Sequence, residues 1–205
     1  MKPKPLVKNA GHPKGLFGKL MIRAMNKEHA ALSLWGLSHL PERTFVSALD
    51  VGCGGGVNLL RLSRFCDKTF GIDVSDLSVA ESKKRCKKLI RSGRAEIATG
   101  SADALPYADG SMGLVTAFET VYFWGELSRC FSETYRVLEK GGVFLIVNEL
   151  KKEKDRPDKY RKIHDVLDLT IYDEEELTDA LKRAGFTETK TYTQGEDWIC
   201  VVATK

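Results

Sequence analysis

The chain has 205 residues, of which 42% are hydrophobic and 29% charged, with 18 Gly and 6 Pro. That composition suits one globular domain with a small appendage, and it excludes a collagen-like rod, a disordered tail and a disulfide-stapled miniprotein. The net charge of +4 is uneven: residues 1–45 carry eight Lys or Arg against two acids, which leaves the remainder at −2. A nucleic-acid-binding domain concentrates basic charge on its folded face, so this distribution argues against such a partner. The longest apolar run near a strand, Val143 to Val147, falls far short of the ~20 residues that cross a bilayer. No apolar stretch follows the basic start Met1-Lys2-Pro3-Lys4-Pro5, as a secretory signal requires, so a cytoplasmic protein with no membrane segment is expected. Cys53, Cys66, Cys86, Cys130 and Cys200 form no Cys-x-x-Cys pair and stand near no His pair; they read as buried thiols rather than zinc ligands or disulfides.

In chain order, Leu16, Phe17, Leu20, Met21, Ala24 and Met25 make a helical apolar stripe over 16–25, and a second helix is expected over about 28–40. Phe45 to Val51 reads as a buried strand. A glycine cluster and a helix carrying Val57, Leu59, Leu60, Leu62 and Phe65 follow. The pattern continues with a strand at 68–73, a long helix at 76–92, and strands at 95–99 and 114–118. Lys83-Lys84-Arg85 with Lys87 and Lys88 reads as the solvated face of that long helix. Leu127, Cys130, Phe131, Thr134, Val137 and Leu138 keep helical spacing up to a stop at Gly141-Gly142, and Val143 to Val147 is the next strand. Residues 151–162 read as a charged loop. Asp173 with Glu176 has capping-box spacing and Gly185 is a helix stop. Two strand-like runs at 187–193 and 197–203 stand too close for a crossover helix, so a hairpin is expected. Alternating strands and helices predict an α/β open sheet, mostly parallel, with one antiparallel strand from the hairpin. Two parts are expected: a helical lid segment over 1–44 and the main domain over 45–205.

Open α/β sheets bind ligands at the carboxyl ends of their strands. After the first strand comes Asp50-Val51-Gly52-Cys53-Gly54-Gly55-Gly56, where Gly52, Gly54 and Gly56 allow sharp bends and close approach to a ligand. The dinucleotide fingerprint G-x-G-x-x-G fails, because Val57 stands where glycine or alanine is required. After the second strand, Asp73 can accept both hydroxyls of a ribose. After the third, Asp103 beside small Ala102 suits a flat purine and its amine. After the fourth, Glu119 is an acid at a buried strand end, where it is costly without a task, and Tyr122, Phe123 and Trp124 follow.

Asp50 to Gly56, Asp73, the Asp103 segment and the run Arg136 to Ile146 resemble class I S-adenosylmethionine-dependent methyltransferases over about 45–150. The resemblance implies a doubly wound, Rossmann-like seven-stranded sheet in the order 3-2-1-4-5-7-6 with a reversed last strand. It implies S-adenosyl-L-methionine as cofactor, with the glycine loop beneath its methionine part, Asp73 on the ribose hydroxyls, Asp103 and the Ala102 backbone at the adenine, and Asp50, Val74 and Glu119 also in the cofactor site. Glu119, Tyr122 and His29 are the candidates for a general base or orienter, with Asn26 a weaker one. Lys140-Gly141-Gly142 departs from the family's usual Pro-Gly-Gly, and Gly113 stands where the family reads Asp-Gly-Ser-Phe-Asp. The absence of Asn/Asp-Pro-Pro-Tyr/Phe after the fourth strand speaks against amide or base N-methylation. A small-molecule acceptor is expected, methylated on O, N or S, by a monomer or homodimer. The rivals are an RNA methyltransferase whose basic start tracks phosphates, a nicotinamide-dependent dehydrogenase, and a non-catalytic cofactor-binding module.

Overall fold

The computed structural model describes residues 29–152 and 169–205. Helix α1 (Ala30–Leu37) precedes strand β1 (Phe45–Val51), helix α2 (Val57–Leu62), strand β2 (Cys66–Asp73), helices α3 (Asp76–Arg85) and α4 (Lys87–Arg91), and strand β3 (Ala95–Thr99). Strand β4 (Met112–Phe118), helix α5 (Leu127–Val137), strand β5 (Leu138–Asn148), helix α6 (Glu174–Ala184) and the strands β6 (Glu188–Gln194) and β7 (Trp198–Thr204) complete the chain. The strands form one seven-stranded sheet in the order β3-β2-β1-β4-β5-β7-β6. β1 to β5 pair in parallel, and β7 runs antiparallel to both β5 and β6. This is the α/β architecture and strand order expected from the sequence.

Alternate residues of a strand point to opposite faces, and β5 shows what each face holds. Phe144 and Ile146 pack with Phe131 of α5 and Leu177 and Leu181 of α6. Val143, Leu145 and Val147 pack on the other face with Leu32 and Leu37 of α1 and Leu62 of α2. The contact with α1 is close: a Cβ on Gly36 would come within 2.3 Å of Val147. A fully buried strand with both faces covered is the reason β4 and β5 read as continuous apolar runs rather than alternating ones.

Several details differ from the sequence-based map. The long helix over 76–92 breaks at Cys86, whose φ of −89° and ψ of 11° leave the helical region. Its thiol is held against the Gly56 carbonyl at 3.5 Å. Gly141-Gly142 does not stop α5, because the chain is already extended at Leu138. Met112 pairs with Leu138 and Leu114 with Val143, so the intervening β5 residues bulge out of the ladder where Gly141 takes φ +75°. Gly113 sits at that same irregularity. Phe65 lies beyond α2, and the helix expected over 28–40 shortens to α1. The capping box of Asp173 and Glu176 and the Gly185 stop are present. All five cysteines are free and buried, and the basic run of α3 and α4 is exposed. Among the described residues no helix is long and apolar enough to cross a membrane. The helix expected over 16–25, Asn26 and most of the 151–162 loop lie outside the described residues, as does most of the segment 1–44 expected to form a lid.

Candidate active site

The carboxyl ends of β1 to β5 lie along one edge of the sheet, in register: Asp50 pairs with Gly71 on one side and Thr116 on the other, and Asp73 with Thr99. A cavity of about 320 Å³ opens at that edge. It is lined by the loop after β1, by Asp73 and Val74 after β2, by Gly100 to Asp103 after β3, and by Glu119, Phe123 and Trp124 after β4, with His29 and Ser33 of the α1 region.

The glycines of the β1 loop do different work. Gly54, at φ +52°, has no atom within 4 Å of where a Cβ would stand, so its open side belongs to the cavity. Gly52 and Gly56 also have positive φ, but a Cβ there would meet Thr120 at 2.4 Å and the Ser82 hydroxyl at 2.3 Å. These two let the loop pack on its neighbours, and Gly56 is absent from the cavity wall. The Gly54 amide donates to Asp73 Oδ2 at 2.9 Å and the Ser75 amide to Asp73 Oδ1 at 2.8 Å. Both oxygens of Asp73 are thereby oriented by backbone, and a carboxylate offers about four acceptor sites in all.

Asp50 lies behind the loop rather than in the cavity wall. It is 2% exposed and accepts a hydrogen bond from Thr116 Oγ1 at 2.8 Å. Burial pushes its pKa up to about 7, and the Thr116 bond pulls against that shift. Asp103 is in the wall and partly exposed, with its carboxyl held below the usual value chiefly by the Ser101 hydroxyl. Arg129 Nε donates to the Asp103 carbonyl at 3.0 Å. Ala102 is buried beside it.

Glu119 has φ +60°, the one non-glycine residue with positive φ among those described. Such a conformation costs roughly 1–3 kcal/mol and gathers at functional sites. Its Oε1 accepts from Tyr122 Oη at 3.1 Å and from the Glu149 amide. Tyr122 Oη in turn accepts from the Leu150 amide at 2.7 Å. Burial pushes the Glu119 pKa up to about 8, with the Glu149 amide opposing and the Glu149 carboxylate adding to it. His29 Nε2 stands 4.0 Å from Glu119 Oε2 and 3.4 Å from Glu149 Oε2. His29, Glu119 and Tyr122 therefore come together, although Tyr122 points its ring into the core and does not line the cavity.

Glu149 and Arg61 are among the residues of this region that escape the sequence reading. Glu149 follows β5 as Glu119 follows β4, and the rule of inspecting each strand's carboxyl end finds it when carried one strand further. Arg61 of α2 is the one Lys or Arg in the cavity wall among the described residues; a lone Arg inside a helix has no sequence signature of such a position.

Among known proteins, residues 49–146 match the family described as Methyltransferase domain. A sterol 4-C-methyltransferase of Caenorhabditis elegans is 25% identical over 122 residues, 58% of this chain and 36% of that protein. A sterol 24-C-methyltransferase of Saccharomyces cerevisiae is 27% identical over 146 residues, 67% of this chain and 38% of that protein. The chain thus spans little more than a third of the length of these two relatives. A phosphoethanolamine N-methyltransferase of Haemonchus contortus, solved with phosphomonomethylethanolamine and S-adenosylhomocysteine, superposes with a TM-score of 0.80 at 16% identity over 92% of this chain and 58% of that one. Strand order, the loop after β1 and the matched stretch agree: residues 49–146 match a methyltransferase domain, on the sheet order expected from the resemblance to the class I S-adenosylmethionine-dependent family.

Proposed function

We propose that this chain binds S-adenosyl-L-methionine in the cavity at the carboxyl edge of the sheet and transfers its methyl group to a small-molecule acceptor. The observation that carries this is the pairing of an open glycine, Gly54, with a backbone-oriented carboxylate, Asp73, in a cavity rich in acids. Asp73, Asp103, Glu119 and Glu126 line it against Arg61 and His29. That excess suits a ligand with a sulfonium and an ammonium group, and opposes the diphosphate of a nicotinamide dinucleotide, which the Val57 departure from the dinucleotide fingerprint also disfavours. The bound cofactor supplies a methyl group already activated by a positively charged sulfur.

In this reading the chain's own residues position and shield. Asp73 accepts the ribose hydroxyls, Val74 packs beside them, and Ala102 and Asp103 flank the adenine. Gly54 lets the backbone approach the methionine part, and Arg61 supplies the cation that its carboxylate needs. Asp50 acts through the loop that it buries, and Gly52 and Gly56 shape the same loop. Phe123 and Trp124 exclude water from the acceptor end, where His29 and Glu119 form a polar wall that orients the acceptor and Tyr122 holds Glu119 from behind. Alignment of this kind is worth effective molarities on the order of 10⁵ M or more, so no triad is required. Support for a small acceptor comes from the size of the cavity, about 320 Å³, and from the acceptors named for the relatives, two sterol enzymes and a phosphoethanolamine enzyme.

The test is calorimetric titration of S-adenosylmethionine, S-adenosylhomocysteine and NAD into the protein, followed by radiolabelled methyl transfer to panels of small molecules and to total RNA. Micromolar binding of the first two ligands and label in a small molecule is the expected result. Heat with NAD alone would overturn the cofactor assignment. Label in RNA, with binding that falls steeply as salt rises, would replace the acceptor class.

A further inference from the structure

Among the described residues, one place brings three metal-ligating side chains within bridging distance. The Nε2 of His29 and one carboxylate oxygen each of Glu119 and Glu149 all lie within 4.8 Å of one another. They come from three segments far apart in sequence, the start of α1 and the loops after β4 and β5, and converge beside the acceptor end of the cavity, whose wall includes His29 and Glu119.

The spacing fits coordination. Ligand atoms about 2.1 Å from a tetrahedral ion are separated by about 3.4 Å, and the His29 to Glu149 distance is 3.4 Å. The His29 to Glu119 distance of 4.0 Å needs a contraction well within side-chain reach. The Glu119 carboxylate is also oriented as a liganding carboxylate is, by hydrogen bonds to its other oxygen. Tyr122 and the Glu149 amide occupy Oε1, and Oε2 is turned toward His29. Among the described residues no Lys or Arg forms an ion pair with Glu119 or Glu149. The two glutamates thus lie beside one imidazole, with no Lys or Arg paired to them among the described residues.

We propose that His29, Glu119 and Glu149 bind a divalent transition-metal ion that holds an oxygen-bearing acceptor at the end of the cofactor cavity. One imidazole with two carboxylates suits Mn²⁺ or Zn²⁺. Three protein ligands leave at least one coordination position for an outside ligand, the arrangement of metal sites that engage substrate. The ion would also bring positive charge to this end of the cavity, so that a hydroxyl, carboxylate or phosphate oxygen can sit beside the two glutamates. The acceptor role rests on the methyltransferase function proposed above, whereas ion binding does not.

The experiment is titration of the full chain with Mn²⁺, read by loss of the electron paramagnetic resonance signal of the free ion, with Zn²⁺ as competitor. One Mn²⁺ per chain, displaced by Zn²⁺, is expected, with His29→Ala and Glu149→Gln each weakening it by about tenfold or more. Glu149 is half-exposed, so its substitution changes charge without opening the core; circular dichroism and a thermal melt check that both variants are folded. Asp73→Ala should leave Mn²⁺ binding in place while removing S-adenosylhomocysteine binding, which separates failure of the ion site from failure of the cofactor site. Absence of binding at millimolar Mn²⁺, or binding unchanged in both variants, would overturn the proposal.

Discussion

The Gly54 amide donates to Asp73 Oδ2 at 2.9 Å, tying the loop after β1 to the carboxylate after β2. Neither residue can do its part alone: the loop needs the carboxylate to fix its path, and the carboxylate needs the amide to fix its plane. Asp73→Ala removes both the oriented acceptor and the partner of two backbone amides. Hydrogen bonds to charged groups contribute about 1.5–3 kcal/mol each, so affinity for S-adenosylhomocysteine should fall by a factor on the order of 10² or more. Asp73→Asn keeps one acceptor and should fall between the two. Calorimetry on the three proteins, with circular dichroism to confirm folding, checks the order; equal affinities would remove Asp73 from the site.

Gly54 and Gly56 should separate binding from stability. Both carry positive φ, which costs an L-residue roughly 1–2 kcal/mol. At Gly54 an added Cβ meets nothing of the protein, whereas at Gly56 it meets Ser82, including its backbone Cα at 3.0 Å. Gly56→Ala should therefore lower the melting temperature more than Gly54→Ala, and Gly54→Ala should lose more cofactor affinity than its small stability loss explains. Thermal melts beside binding titrations would show it, and the reverse ranking would count against the cavity-facing role of Gly54.

Asp50 predicts a pH dependence of stability. Its pKa rises from 3.8 to about 7 in the folded state because burial disfavours its charge. Between those values the folded chain holds a proton that the unfolded chain has lost, so this group's contribution falls as pH rises from about 4 to about 7 and is level above. Across that range the loss runs at up to about 1.4 kcal/mol for each pH unit. Asp50→Asn keeps an acceptor for Thr116 without the charge. It should melt higher than the wild type at pH 8, and the gap should close toward pH 4. Parallel melting curves at both pH values would contradict a buried, protonated Asp50.

Arg61 should discriminate between the two halves of the cofactor. If it faces the methionine carboxylate, Arg61→Met weakens S-adenosylhomocysteine binding by about tenfold or more, the scale of one charge-assisted hydrogen bond, and leaves adenosine affinity unchanged. Equal losses for both ligands would mean that Arg61 acts on the shape of α2 and its contact with Asn58 instead.

The periodic parts of this protein were legible before any fold was seen. Buried strands at the centre of a sheet must be apolar on both faces, so β1, β4 and β5 announce themselves, and the turn chemistry of Asp173, Glu176 and Gly185 depends on neighbours a few residues away. The glycine loop and Asp73 were legible for a related reason: a tight strand-to-helix turn and an acid at the next strand's end are local demands, written at fixed spacing. Tertiary structure alone decided what is not local. Only the sheet order brings the ends of β4 and β5 side by side, so Glu149 joins Glu119 and His29 although 120 residues separate its position from His29. Only burial separates Asp50, held by Thr116 behind the loop, from Asp73, held open to the cavity; a sequence sees two aspartates, and their electrostatics arise from what the fold packs around each.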